Sequence, residues 1–306
     1  MARSAQSEGI ARRDVLRVSE AGERARRSDL LAVEEPLEIR VDGETLAVTM
    51  RTPGQDVDLA LGYLFAEGLI RGPDDVGSVA HCGRPQEEGY GNVIDVVSAG
   101  GHPIDPERVL EGVRFSTTTS ACGVCGRRSI EGLLKRCSPL PAEGSLGPEL
   151  VVFAMDRLSR IQPIFARTGG LHASAVFSTE GELIASAEDV GRHNAVDKAI
   201  GSLVRLGALG VAHPKGPRPA LLAVSGRASF EIVQKAAAAR IPGVASVSAP
   251  SSLAVDLADR ARVTLIGFAR GDHFNVYAHA WRIGDHLSPL NAGRAGDELG
   301  GSPETS

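Results

Sequence analysis

The sequence predicts an α/β protein: an α+β N-terminal lobe, then a C-terminal lobe built on a mixed, largely parallel sheet with helices on its faces. Three observations carry this. The chain has 306 residues, 42% hydrophobic and 23% charged, enough for a sizeable core and more than one lobe. Apolar residues alternate on either side of Asp42-Gly43, a strong local hairpin signal. From about residue 171, strand-like and helix-like runs alternate with short connections, the order that lays parallel strands beneath covering helices.

Residues 1–30 mix Arg with Ser, Glu and Ala without an apolar period and read as a mobile arm. The N-terminal lobe spans 31–140. Its hairpin covers 31–50. Val57, Ala60, Leu61, Leu64 and Phe65 follow the i, i+3, i+4, i+7, i+8 series and predict a helix over 56–69, with Asp56 as its cap and Gly72-Pro73 as its stop. Short strands follow over 79–82 and 92–97. The Ser/Thr/Gly-rich stretch 114–126 reads as a loop leading into a helix over 129–136, and 138–147 as a connector. The second lobe, 148–285, opens with a helix over 149–160. LHASAVF and ELIASA flank the turn Thr179-Glu180-Gly181 as a second hairpin. A helix over 188–207, a strand over 220–226, a helix over 227–240, a strand over 244–251, a helix over 253–261 and a strand over 262–271 follow. Residues 291–306, rich in Gly, Ser, Pro and Glu, read as a flexible tail.

A formal charge of -5 argues against a general phosphate-backbone binder, so no nucleic-acid partner is expected. No run of about 18 apolar residues is present and no apolar segment follows Arg12-Arg13, so neither a membrane span nor a leader is expected. These features read as a cytoplasmic protein. Four cysteines (Cys82, Cys122, Cys125, Cys137) are too few for a disulfide scaffold.

Cys122-Gly-Val-Cys125 is the sharpest local feature. Only the thiolate of a cysteine is nucleophilic, and Arg127, Arg128 and a following helical run favour ionisation here. Three readings stay open: a reactive thiol, half of a zinc site, and packing. A closed zinc site needs four ligands, and no second C-x-x-C or C-x-x-H follows, so no metal is expected. Cys82 and Cys137, each alone, read as small buried hydrophobes.

Five loops fall at strand ends of the second lobe: Thr168-Gly169-Gly170, the stretch 188–193 with Arg192 and His193, Ser225-Gly226-Arg227, Ala249-Pro250-Ser251-Ser252, and Phe268-Ala269-Arg270-Gly271. Ligands of α/β sheets lie beyond the carboxyl ends of the strands, so these loops are expected to converge on one mouth. Glycine admits close backbone approach, helix N-termini accept anions, and Arg192, Arg227 and Arg270 can fork onto phosphates. A nucleotide-sized anion suits such a mouth. No Walker A or G-x-G-x-x-G pattern is present, and taken singly each glycine equally well just turns the chain. His172 and His193 read equally as catalytic or as ordinary hydrogen-bonded histidines. Glu188-Asp189 and Glu231 read as capping carboxylates.

The blocks TTTSACGVCG, TGGLHASA, EDVGRHNAVDKAIG, SGRASFEIVQKA, SAPSSLAV and GFARGDHFNVY, in this order, resemble the FdhD family of formate dehydrogenase accessory sulfurtransferases over residues 36–283. The resemblance implies a second lobe similar to the cytidine deaminase fold, and a homodimer. It implies that sulfane sulfur is taken from a cysteine desulfurase as a cysteine persulfide. The sulfur then passes to the molybdenum of the bis(molybdopterin guanine dinucleotide) cofactor, Mo-bis-MGD, before or during its insertion into formate dehydrogenase. Cys122 matches the persulfide-bearing cysteine and Cys125 its C-x-x-C partner. Phe268, Ala269, Arg270, Gly271, Asp272 and His273 match the stretch assigned to cofactor binding. Hydrolytic deaminase chemistry does not carry over, because the C-x-x-C precedes the lobe, Ala121 stands where Pro should, and His193 is followed by Asn194-Ala195. A cofactor chaperone without sulfur transfer is the competing reading. A thiol–disulfide oxidoreductase is disfavoured, since the motif does not start a helix in a β-α-β unit.

Overall fold

The computed structural model describes residues 9–84, 90–100, 104, 139–142, 144–209 and 216–284. Cys122, Cys125, Cys137, the helix expected over 129–136 and the tail from 291 lie outside them. Among the described residues the chain runs β1 (Ile10–Val18), β2 (Arg24–Ala32), β3 (Glu35–Val41), β4 (Glu44–Arg51), α1 (Asp56–Ala66), β5 (Val76–His81), β6 (Val93–Ser98), α2 (Pro148–Arg160), α3 (Phe165–Thr168), β7 (His172–Ser178), β8 (Leu183–Asp189), α4 (Arg192–Arg205), β9 (Pro219–Val224), α5 (Phe230–Ala238), β10 (Gly243–Ser246), α6 (Ser252–Ala261), β11 (Thr264–Arg270) and β12 (His273–Ala278). None of these helices is long and apolar enough to cross a membrane.

The expectation of a mobile arm over 1–30 is corrected for the residues described. β1 and β2 pair antiparallel without a register break, from Ile10↔Ala32 to Val18↔Arg24. The root of this ribbon is fixed: Ile10 is buried, and the Val33 N–H donates to the Gly9 carbonyl at 2.9 Å. Arginines occupy both faces of the ribbon, so the period of two that marks a strand never shows as alternating polarity.

β3 and β4 meet at Asp42-Gly43, both with φ positive (49° and 85°), as a two-residue hairpin turn requires. The N-terminal sheet has the order β4-β3-β6-β5. α1 forms where the periodicity places it, but Asp56 does not cap it. Gln55 is the N-cap, and buried Asp56 holds Arg51 with two bonds of 3.0 and 3.1 Å. A bidentate bond to a buried guanidinium is stronger than a bond to one backbone N–H.

The C-terminal sheet has the order β12-β11-β10-β9-β7-β8. Only its centre, β9-β10-β11, is parallel; β7, β8 and β12 pair antiparallel with their neighbours. The expected largely parallel sheet therefore becomes a parallel centre with antiparallel flanks, because a short turn such as 179–182 can join only antiparallel strands. β12 is an element the sequence reading left out. The helix expected from 188 starts at Arg192, since Glu188 and Asp189 end β8. Ala173, Ala175 and Phe177 of β7 point to one face, where α2 packs with Leu150, Val151 and Leu158. Val176, Leu222, Val244 and Leu265 point to the other, where α4, α5 and α6 lie. Both faces are covered, so the strands read as nearly continuous apolar runs.

The lobes join through α1 and α4. A Cβ at Gly62 would fall on the Asp197 carbonyl oxygen, and one at Gly201 on that of Asp58, so the helices touch backbone to backbone. Gly201→Ala is expected to force them apart and cost about 3 kcal/mol of stability, the upper end for overpacking, because a backbone cannot rotate aside. Urea unfolding measures this; a loss below about 1 kcal/mol would mean that the helices separate freely.

Candidate functional site

Since β7 runs antiparallel to both β9 and β8, its start lies between the end of β9 on one side and the end of β8 on the other (Ser174↔Val224, His172↔Asp189). With β9, β10 and β11 parallel, all five loops stand at one edge of the sheet, as expected. Ser225 pins the centre of this mouth: its N–H donates to the Ala173 carbonyl (3.0 Å) and its Oγ accepts from the Ala173 N–H (2.8 Å). The next residue packs against both neighbours: a Cβ at Gly226 would lie in ordinary contact, 3.4 Å from His172 Nδ1 and 3.6 Å from Arg192 Cβ. Three segments thus meet at Gly226.

Arg192 is the first residue of α4, whose N-cap Gly191 offers no side-chain cap. Its Nε is buried and has no hydrogen-bond partner among the described residues. A buried donor without an acceptor costs about 1–3 kcal/mol, so an acceptor placed there by a ligand would recover that loss. His193 Nε2 lies 2.7 Å from Glu231 Oε2 and 3.1 Å from Ser229 Oγ, which ties the start of α4 to that of α5. The bond from His193 holds the Glu231 carboxyl below its usual range. Burial, helped by Arg192 and His193, pushes the His172 imidazole below its usual range. The folded state therefore resists protonating His172, and stability contributed by its neutral form falls as pH drops through the unfolded-state value. A proton NMR titration is expected to place the His172 midpoint below that of a free histidine; a raised midpoint would contradict this environment.

The other expected residues have varied roles. Ser251 caps α6, its Oγ accepting from the Ala254 N–H (3.3 Å), so the hydroxyl serves the helix. Gly169, at φ 67°, ends α3; Gly170 packs against Ala32. Arg227 is exposed at the rim. In the late stretch, Ala269 turns into the core while Phe268 and Arg270 are exposed, and Gly271 and Asp272 make the turn between the paired residues Arg270 and His273. Phe268 holds φ 52°, uncommon for an aromatic residue, at an irregularity in the β11–β12 pairing. Arg270 Nε donates to the Val247 carbonyl (2.8 Å), leaving the rest of the guanidinium outward. Asp272 and His273 pair at 3.1 Å in solvent.

Glu188 and Asp189, read as capping carboxylates of the helix that follows them, reach further than that. Glu188 does act as a cap, but on α3, accepting from Ile164 N (3.0 Å) and Phe165 N (2.7 Å). Buried Asp189 accepts from Thr52 N, Gly191 N and Asn194 Nδ2 and pairs with buried Lys198 at 2.7 Å, joining the end of β4 to the start of α4.

The FdhD/NarQ family model matches residues 32–284. The chain belongs to the FdhD/NarQ family. Within it, the chain is 65% identical over 256 residues to the sulfur carrier protein FdhD of Anaeromyxobacter dehalogenans, covering 84% of this chain and 89% of that one. It is 47% identical over 277 residues to the sulfur carrier protein FdhD of Nocardia farcinica, covering 89% and 94%. A crystal structure from Desulfotalea psychrophila, described as a formate dehydrogenase accessory protein, shares the fold with a TM-score of 0.68 at 24% identity, over 90% of this chain and 99% of that one. The strand-end mouth lies wholly within the FdhD/NarQ match.

Proposed function

We propose that this chain is a sulfur carrier for formate dehydrogenase, a sulfurtransferase that loads sulfane sulfur on Cys122 and delivers it to Mo-bis-MGD held at the strand-end mouth. The carrying observation is its 65% identity, over most of its length, to a relative named sulfur carrier protein FdhD. The mouth supports the cargo: an α4 N-terminus whose N-cap Gly191 makes no side-chain cap, and an Arg192 Nε without a partner among the described residues, suit phosphate oxygens. Arg227 and the outward part of Arg270 add cationic rim, and exposed Phe268 offers a flat apolar surface to a base or pterin ring.

In this reading the Cys122 thiolate attacks the terminal sulfur of the donor cysteine desulfurase's persulfide. One S–S bond forms, one breaks, and the donor leaves as a thiolate. The partners are that desulfurase, the catalytic subunit of formate dehydrogenase and a second copy of this chain, in the cytoplasm. Incubation with desulfurase and cysteine is expected to add the mass of one sulfur atom to the Cys122 peptide. A peptide of unchanged mass would favour a chaperone that holds the cofactor without sulfur transfer.

A further inference from the structure

The β1–β2 ribbon holds none of the residues proposed for sulfur transfer or cargo binding, and of its residues only Ala32 falls inside the family match. A two-stranded hairpin alone in water is marginal. This one is anchored at its root and carries solvent on both faces beyond it. On one face Leu16 and Val18, each 55% exposed, stand directly across from Arg26 and Arg24. Arg13, Arg17 and Arg27 stand on the other. With Arg12 these make six exposed guanidiniums, none of which forms an ion pair among the described residues. Against the four carboxylates of Asp14, Glu20, Glu23 and Asp29 the six arginines leave residues 10–32 with a net charge of +2, in a chain whose formal charge is -5.

We propose that the ribbon is a docking arm for a carboxylate-rich protein surface with an apolar centre, and that its occupant is the formate dehydrogenase catalytic subunit. The identity of the occupant rests on the sulfur-delivery reading; the chemistry of the arm does not. Unpaired guanidiniums around two exposed aliphatic side chains match the polar rim and apolar middle of a protein interface. Nucleic acid fits less well, since phosphates offer Leu16 and Val18 nothing and the acidic body repels them. The root places the arm at the mouth. Ala32 Cβ would lie 3.3 Å from a Cβ on Gly170, and Gly9 packs against Ile164, just ahead of α3. A protein seated along the ribbon is therefore held at the rim where cargo would be handed over.

The test uses full-length protein and cofactor-free formate dehydrogenase catalytic subunit, with affinity read by biolayer interferometry at low and moderate salt. The triple variant Arg24→Glu, Arg26→Glu, Arg27→Glu is expected to bind at least about tenfold more weakly and to lose most of the salt dependence. Its melting curve and its guanosine diphosphate affinity should match wild type. The pair Leu16→Ser, Val18→Ser should weaken binding and leave the salt dependence intact. Equal affinity of the triple variant overturns the arm, as does a defect confined to self-association in sedimentation, or duplex DNA bound by wild type as tightly as the subunit. Wild type that ignores the subunit overturns arm and occupant together. Docking through the ribbon with no sulfur ever on Cys122 sinks the delivery chemistry alone, and sulfur on Cys122 with an indifferent ribbon sinks the arm alone.

Discussion

Replacing Cys122 with serine is expected to reduce formate dehydrogenase activity to background in cells that carry only the variant. A hydroxyl of ordinary pKa is neither a thiolate at neutral pH nor able to hold sulfane sulfur, so the transfer loses the acceptor atom assigned to it. Formate-dependent dye reduction in extracts measures it, and near-normal activity would overturn the carrier reading. Cys125→Ala separates loading from release. If the Cys125 thiolate attacks Cys122 Sγ, the terminal sulfur departs at the sulfide level, the two thiols supply its two electrons, and a Cys122–Cys125 disulfide remains for a dithiol reductant. The Cys125→Ala variant should then load sulfur normally and deliver it poorly. Full delivery by that variant would remove Cys125 from the cycle.

Most of the second lobe was legible because its strands are buried on both faces and its helices are amphipathic, so LHASAVF, ALLAVSG and RVTLIGFARG stand out against their surroundings. Three strands were not. β1 and β2 hide their alternation under arginines. β12 does alternate, with Phe274, Val276 and Ala278 turned inward, but it is short and follows a two-residue turn directly after the strand expected over 262–271, so it was left out. The mouth was found from strand ends and arginines, a rule about topology that needs no side-chain contacts. What joins the mouth to the rest of the chain was invisible, because Thr52 and Asp189 are 137 residues apart. No local pattern announces such a pairing. The same limit hid the role of Glu188, whose true helix precedes it in the chain.

That hidden pairing carries the largest expected effect on stability. Lys198 and Asp189 are 1% and 0% exposed, and the ammonium also donates to the Thr52 carbonyl at 2.7 Å. Lys198→Met keeps the aliphatic volume but leaves the Asp189 carboxylate buried beside neutral donors. Breaking such a pair costs about 3–5 kcal/mol, because the remaining charge keeps its desolvation penalty and loses its partner. For a chain of this size that corresponds to a fall in Tm on the order of 10 °C. Adding Asp189→Asn removes the stranded charge and should restore part of the loss. A simple packing defect predicts the opposite, a second loss on top of the first. The same carboxylate holds the Gly191 N–H at 2.8 Å, one residue before Arg192. Protein that remains folded in the single variant should therefore also bind guanosine diphosphate more weakly. Unchanged binding would show that the pair holds the lobes together without shaping the mouth.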